Sequence, residues 1–363
     1  MTPTVYFLAV FPRVSEVHRL RRIVEFLLFP AFTGELRQGM GRWLWLPVFL
    51  LGSQGIAWAD AAEDKEALAW LKKISAAARQ LNYVGTFVYD QGDRMETSRV
   101  IHQADGDREQ EKLETLDGPP REIIRSNGEV MSFFPESRIV KMERRRWWRN
   151  FPGLLPPDLT GIAESYQVRK TKRSRAAGYE CQGLLLEPKD DMRYGHQLCA
   201  ELRSGLLIKA RVLNGHGESV EQIAFTQLSI GGSIDKEMLK SKYNPTAPDW
   251  RFDQPLPTPG GEAENRWTVR NIPAGFKKMV DMRRSMPGKP EPVEHLVFSD
   301  GLAAVSVFIE RFPAGDKPVL GLSQRGSMHI YKKQYGDRLI TVVGETPPAM
   351  VMRMADSVGF KGR

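Results

Sequence analysis

Two short constellations are the places where this 363-residue chain has side chains suited to chemistry. The first is Arg144-Arg145-Arg146-Trp147-Trp148-Arg149, running into the apolar, proline-rich residues 151–157 that include Leu154 and Leu155. Guanidinium groups pair with phosphate while indole rings cover acyl chains, so the run suits a membrane interface or a phosphorylated lipid. It is also the composition of a solvated strand end whose two tryptophans belong to a core. The second constellation is Cys181 and Cys199, the two cysteines of the chain. They fall in segments 179–187 and 194–202, which read as two strands joined by a polar turn at 188–193. Pairing about Asp190 sets Cys181 opposite Cys199, either as a disulfide or as two buried thiols.

The remaining reactive residue types do not converge. His18, His102, His196, His216, His295 and His329 are scattered singly, with no H-E-x-x-H and no Cys/His cluster, so no metal is expected. There is no G-x-S-x-G elbow, P-loop or G-x-G-x-x-G, and the Gly pairs at 231–232 and 260–261 read as loop punctuation. Asp190-Asp191 is a solvated turn, since adjacent residues of an extended backbone point apart. No catalytic residue, no cofactor and no enzyme activity are expected.

The elements that must position these residues follow export. Residues 40–59 read as a secretory signal: Arg42, an apolar run too short to span a bilayer, then small residues at Ala57 and Ala59 with cleavage after Ala59. Residues 1–39 stand before that signal and read as a non-native extension, with Met40 as the start. Removing 59 residues leaves 304, with 46 basic and 41 acidic side chains. That mild excess favours anionic partners such as lipid head groups over nucleic acid. No cysteine follows the signal, so no lipid anchor is expected.

Ala67, Trp70, Leu71, Ile74, Ala77, Ala78 and Leu81 recur at helical spacing. Strands follow at 83–90, 95–103, 110–116, 121–126, 129–134 and 138–143, each separated by a turn signal. Such short connections permit only antiparallel neighbours. After a basic run at 169–175 the pattern resumes to residue 229, for nine to eleven strands in one curling sheet. Its hollow side must be filled by helices, side chains or a ligand. Tyr83, Phe87 and Tyr89 share one face by strand parity, with Gly85 leaving room; core packing is the default reading and lipid contact the other. Residues 244–265 read as a linker. Residues 266–363 form a smaller α+β unit with strands at 267–270, 276–283, 293–299, 303–311, 326–334 and 338–344 and a helix at 347–358.

Several strings carry a family resemblance. Leu81-Asn82-Tyr83-Val84-Gly85-Thr86-Phe87-Val88-Tyr89, residues 111–125 (EKLETLDGPPREIIR), Arg193-Tyr194-Gly195-His196, Gly205-Leu206-Leu207 and residues 295–310 (HLVFSDGLAAVSVFIE) resemble the MucB/RseB family of periplasmic regulators. The resemblance spans nearly all of residues 60–363. It implies a mainly β, α+β protein: a lipoprotein-carrier-like domain at 60–243, a curved antiparallel sheet around helices, and a partner-binding C-terminal domain at 266–363. It also implies a periplasmic partner, the anti-sigma factor's periplasmic domain, shielded from the first protease of an envelope-stress cascade and released by lipid or lipopolysaccharide. A periplasmic lipid or lipoprotein carrier is the alternative, and self-association is left open. The Cys pair and the Arg/Trp run inherit no role from the family.

Overall fold

The computed structural model describes residues 56–360 except 93, 107, 145–149, 254–265, 285, 287–288, 290 and 313–317, with backbone alone at 56–64, 143, 144, 253 and 284. The extension 1–39, the start of the signal, and Arg145, Arg146, Trp147 and Trp148 lie outside the described residues. Ala57 and Ala59 fall on the backbone of α1 (Ile56–Gln80).

Along α1, Ala67, Leu71, Ile74, Ala77 and Ala78 form one buried stripe at three- and four-residue spacings. A twelve-stranded sheet covers it. Its strands are β1 (Tyr83–Gln91), β2 (Arg94–Asp105), β3 (Arg108–Thr115), β4 (Glu122–Ser126), β5 (Glu129–Phe134) and β6 (Ile139–Arg144), then β7 (Tyr166–Ala176) after a short helix, α2 (Thr160–Ser165). The others are β8 (Tyr179–Pro188), β9 (Gly195–Glu201), β10 (Leu207–Leu213), β11 (Ser219–Ile230) and β12 (Arg251–Asp253). The spatial order is β12-β6-β5-β4-β3-β2-β1-β11-β10-β9-β8-β7, antiparallel except where β12 runs parallel to β6. Two of these strands differ from the sequence reading. β7 is the stretch taken there as a basic run, and β12 lies inside the expected linker.

The sheet rolls. Tyr179 of β8 donates its hydroxyl to the Leu228 carbonyl of β11 at 3.1 Å. In a flat sheet three strand spacings of roughly 4.8 Å would hold these strands about 14 Å apart, beyond the reach of a tyrosine. Inside the roll one core joins α1 to Tyr83, Phe87, Val100, Val168, Leu184, Leu186, Leu198 and Phe225. Gly85 is required there: a Cβ would lie 2.5 Å from the Phe225 ring and 2.9 Å from the Gln227 carbonyl oxygen.

β8 and β9 pair about residue 191 rather than 190. The turn between them is held by the Asp190 carboxylate, which accepts from the Met192 N–H at 3.0 Å. Cys181 therefore faces Glu201 and Cys199 faces Gly183, a correction to the expected register. The two cysteines are diagonal neighbours with Cα atoms 5.4 Å apart, joined as a disulfide.

The outer face of β3–β6 is covered by the chain that follows β11. Lys112 and Glu122 form a buried ion pair at 3.1 Å. Lys112 donates to the Lys240 carbonyl at 2.7 Å, and Glu122 accepts from the Ser241 hydroxyl at 2.8 Å and the Lys242 N–H at 3.1 Å. Trp250 then packs on Phe133 and Tyr243, with ring centres 6.1 and 5.6 Å away. Residues 244–253, read from the sequence as the start of a linker, are thus a strap on the larger lobe.

The smaller lobe has β13 (Trp267–Val269) paired with β20 (Val358–Phe360) and a six-stranded sheet. The sheet holds β14 (Lys277–Arg284), β15 (Val293–Ser299), β16 (Ala304–Arg311), β17 (Gly321–Arg325), β18 (Met328–Tyr335) and β19 (Arg338–Gly344), in the order β14-β15-β16-β19-β18-β17. α3 (Pro348–Asp356) lies over β16, β18 and β19. It buries Met350, Val351, Met354 and Ala355 against Leu296, Val305, Val307, Ile340 and Val342. Where the sequence suggested one strand at 326–334, Gly326 (φ 58°) turns the chain between β17 and β18.

Removing one member of a buried ion pair strands the other, at a cost of about 3–5 kcal/mol, whereas replacing both with apolar groups is near neutral. Lys112→Met is therefore expected to lower unfolding free energy by that amount in urea titration, and Lys112→Met with Glu122→Leu to recover most of it. A single-variant loss below about 1 kcal/mol would remove the ion pair as the strap's anchor.

Candidate functional site

The residues named as lipid-contact candidates fall in separate parts of the structure. Tyr83, Phe87 and Leu155 are 1%, 6% and 2% exposed. The Tyr83 ring stacks on His102 at 4.6 Å and its hydroxyl donates to the Ala78 carbonyl at 3.2 Å. Phe87 meets Phe151 and Phe225 edge-on, at 5.3 and 6.0 Å. These three are core because α1 and residues 151–155 fill the hollow, so in this arrangement they offer a ligand no free surface. Leu154 is half-buried against the same core. Arg144 ends β6, its backbone paired with Glu129.

Beyond α1 the inner face turns polar. His102, Glu109, Glu111, Arg125, Asn127 and Gly128 line a cleft of about 150 Å³. Glu111 and Arg125 pair across it at 3.4 Å. This is below the several hundred Å³ of an ordinary small-molecule pocket, and the lining is charged.

Tyr89 belongs elsewhere, in the seam between the two lobes. Its hydroxyl donates to Glu221 of β11 at 2.9 Å, and burial, then the Glu221 charge, push its phenol up. The same carboxylate oxygen accepts from Gln91 at 3.3 Å and from the Ser327 hydroxyl at the β17–β18 turn. Gly326 leaves room for the Gln91 amide, since a Cβ there would fall 2.1 Å from it.

A second, drier contact lies at the other end of the seam. Arg193, in the β8–β9 turn, is 3% exposed. Its Nε donates to Asp300 Oδ2 at 2.8 Å, and its other nitrogens donate to Asp190 and to the Ala274 carbonyl. The guanidinium lies 4.9 Å from the Phe276 ring and 5.9 Å from the Tyr166 ring. Asp300 holds the β15–β16 turn by accepting from Leu302 and Ala303 N–H groups at 2.9 and 2.8 Å. α2 comes so close that a Cβ at Gly161 would sit 2.6 Å from the Asp300 carbonyl oxygen. Burial, then the Asp300 charge, raise the Tyr166 phenol well above its usual range. His196 stands edge-on to Tyr166 at 6.0 Å, and burial lowers its pKa to about 4.

The sequence reading missed this seam. Arg193 and Asp300 appeared there only inside family strings, without a role. No local pattern announces a partner 107 residues away. Among the described residues no group of three or more His, Cys, Asp or Glu could hold a metal, and no helix is long and apolar enough to cross a membrane. What the arrangement can do is hold two lobes together, with surfaces left for a partner.

Comparison with known proteins places this geometry. Residues 66–243 match the family model for the MucB/RseB N-terminal domain and residues 261–359 that for the C-terminal domain. The chain is similar to the sigma factor AlgU regulatory protein MucB of Pseudomonas aeruginosa, 30% identical over 325 residues, covering 86% of this chain and 96% of MucB. It is also similar to the sigma-E factor regulatory protein RseB of Salmonella typhimurium, 28% identical, covering 88% and 98%. Among solved structures, the crystal structure of MucB in complex with MucA(peri) matches with a TM-score of 0.67 at 28% identity, covering 82% of this chain and all of that one.

Two expectations follow from the seam. Arg193→Leu leaves Asp300 buried without its cation, which costs about 3–5 kcal/mol. The variant should melt lower and, where still folded, show a larger radius of gyration by small-angle scattering; an unchanged radius and melting temperature would dismiss the clasp. For His196 the folded pKa lies below the ordinary 6.5, so the unfolded chain takes up the proton first. Its contribution to stability is full above pH 6.5 and is lost as pH falls towards 4. Melting temperature should fall over that window, and His196→Gln should flatten the fall.

Proposed function

This chain belongs to the MucB/RseB family, and from that premise we propose that it is a periplasmic regulator that binds the periplasmic region of a membrane anti-sigma factor. Its relatives are sigma-factor regulators, binding proteins rather than enzymes. Binding shields the anti-sigma factor from regulated proteolysis and keeps the envelope-stress sigma factor restrained. The observation that carries this reading is similarity over the full length of both lobes to a relative whose crystal structure is of a complex with MucA(peri).

Lipid or lipopolysaccharide acts as the releasing signal in this proposal. An amphiphile shifts the equilibrium only if it binds one arrangement of the protein better than another. The hollow of the larger sheet is filled in the described arrangement, so an acyl chain enters only when α1 or residues 151–155 give way. Arg144, Arg145, Arg146, Trp147 and Trp148, just before that filling segment, supply the cations and rings for a phosphorylated head group. A closed interior supports a sensor over a carrier, which needs a standing cavity.

The purified chain at saturating concentration is expected to slow cleavage of the anti-sigma periplasmic region, and added lipopolysaccharide to restore it. Trp147→Ala with Trp148→Ala should keep the protection while blunting the lipopolysaccharide effect. A cleavage rate indifferent to the chain would refute the proposal, and a double variant that fails to fold would return those rings to the core.

A further inference from the structure

The charged groups of the inner face converge on the polar cleft and are only partly engaged there. The register of the larger sheet sets Tyr83, His102, Glu111 and Arg125 side by side on β1 to β4. His102, Glu111 and Arg125 floor the cleft of about 150 Å³, and Glu109, Asn127 and Gly128 form its rim. Glu111 lies 3.4 Å from Arg125 and is that guanidinium's one acceptor among the described residues. The Glu109 carboxylate has no partner among them.

His102 is 2% exposed. Its ring stacks on Tyr83, and Nδ1 donates to the Leu81 carbonyl at 2.8 Å, just past the end of α1. Nε2 is then the acceptor of the neutral ring, and it makes no hydrogen bond among the described residues. Buried polar atoms are ordinarily satisfied, so an open acceptor in a cleft wall is a place for a donor that arrives with a ligand. The surrounding charge is negative. Burial first, then Glu111, raise the Tyr83 phenol well above its usual range, with Arg125 opposing and Glu109 adding to the rise. The C-terminal end of α1 brings further negative partial charge to the same place.

We propose that this cleft binds a compact zwitterion, a primary ammonium linked to a phosphate by a short carbon chain. The ammonium donates to His102 Nε2 and to the carboxylates of Glu109 and Glu111, and Arg125, which has guanidinium donors to spare, takes the phosphate. Size agrees with this. At about 30 Å³ per water the space equals roughly five waters, enough for such a group and too small for an acyl chain. The same group occurs free and as a lipid head group, and the cleft reads the chemistry the two share. The site stands apart from the regulatory reading above, since its occupancy is measured without an anti-sigma factor.

Calorimetric titration of the whole exported chain with O-phosphoethanolamine is expected to show saturable one-to-one binding, with a Kd below about 1 mM. Inorganic phosphate, which would meet two carboxylates, and O-phosphocholine, whose methylated ammonium offers no N–H donor, are expected to bind roughly tenfold or more weakly. Glu109→Gln should weaken O-phosphoethanolamine binding by roughly tenfold while melting with the unmodified chain, because the side chain it alters has no partner in the fold. Glu136→Gln, in the exposed β5–β6 turn, should change affinity less than about twofold. Absence of saturable binding, equal affinity for O-phosphocholine, or an unchanged affinity in Glu109→Gln would each overturn the site. Vesicles of phosphatidylethanolamine in phosphatidylcholine that displace the soluble zwitterion would assign the ligand to a lipid head group. Vesicles that leave it bound would assign the ligand to a free compound, and either result upholds the cleft.

Discussion

A single helix has to serve twelve strands, and that mismatch shapes the larger lobe. A helix with its side chains is about 10–12 Å across, whereas twelve strands laid flat would span roughly 50 Å. Rolling is the solution on one half: β7–β11 curl until β8 reaches β11, and α1 fills what they enclose. On the other half the burden moves to the outer face. There the strap after β11 covers Ile124, Phe133 and Val140, which are at most 7% exposed. The inner face of β3–β6 carries Glu111 and Arg125 beside the buried Ile123 and Val130. One arithmetic constraint thus accounts for the filled hollow, the polar cleft and the strap.

The lobes are joined by different physics. Within each, burial of aliphatic and aromatic side chains dominates, and exchanging one such residue for another of similar volume is cheap. The seam instead relies on Arg193 with Asp300 and on the hydroxyl and amide groups around Glu221. Buried charge adds little net stability but punishes every arrangement in which it is unpaired. The guanidinium has three acceptors in one geometry and would lose two of them, Asp300 and the Ala274 carbonyl, if the lobes slid apart. Such a contact fixes orientation more than it holds by area, which suits a joint with two discrete states.

Much of this was legible in the sequence, and the failures have a common cause. α1, the meander from β1 to β6 and the strands of the second sheet interior announce themselves through periodicity and turn residues, because one or both of their faces are buried. β7, β12 and β17 were not read as separate strands, and all three are edges. An edge strand open on both faces needs no apolar alternation; β7 has buried side chains only at Tyr166 and Val168, and β17 has none. The aromatic face was read with correct parity at Tyr83 and Phe87, while Tyr89 passed beyond α1 to Glu221. The seam was illegible for a different reason: an Arg and an Asp in separate turns become partners only after both sheets exist.

These magnitudes also bound how a releasing ligand could act. Moving a two-state joint from 1:99 to 99:1 requires about 5.5 kcal/mol of differential affinity. Parting a buried pair such as Arg193 and Asp300 costs about 3–5 kcal/mol, the same order, while a ligand of micromolar affinity supplies about 8 kcal/mol in all. An amphiphile that bound only the opened arrangement could therefore work the seam without unfolding either lobe. One that bound both arrangements within a few-fold could not, however tightly it was held. Discrimination between states, rather than affinity, is then what a releasing lipid must provide, and a filled interior supplies it: the hollow is available to an acyl chain only after the packing around α1 has changed.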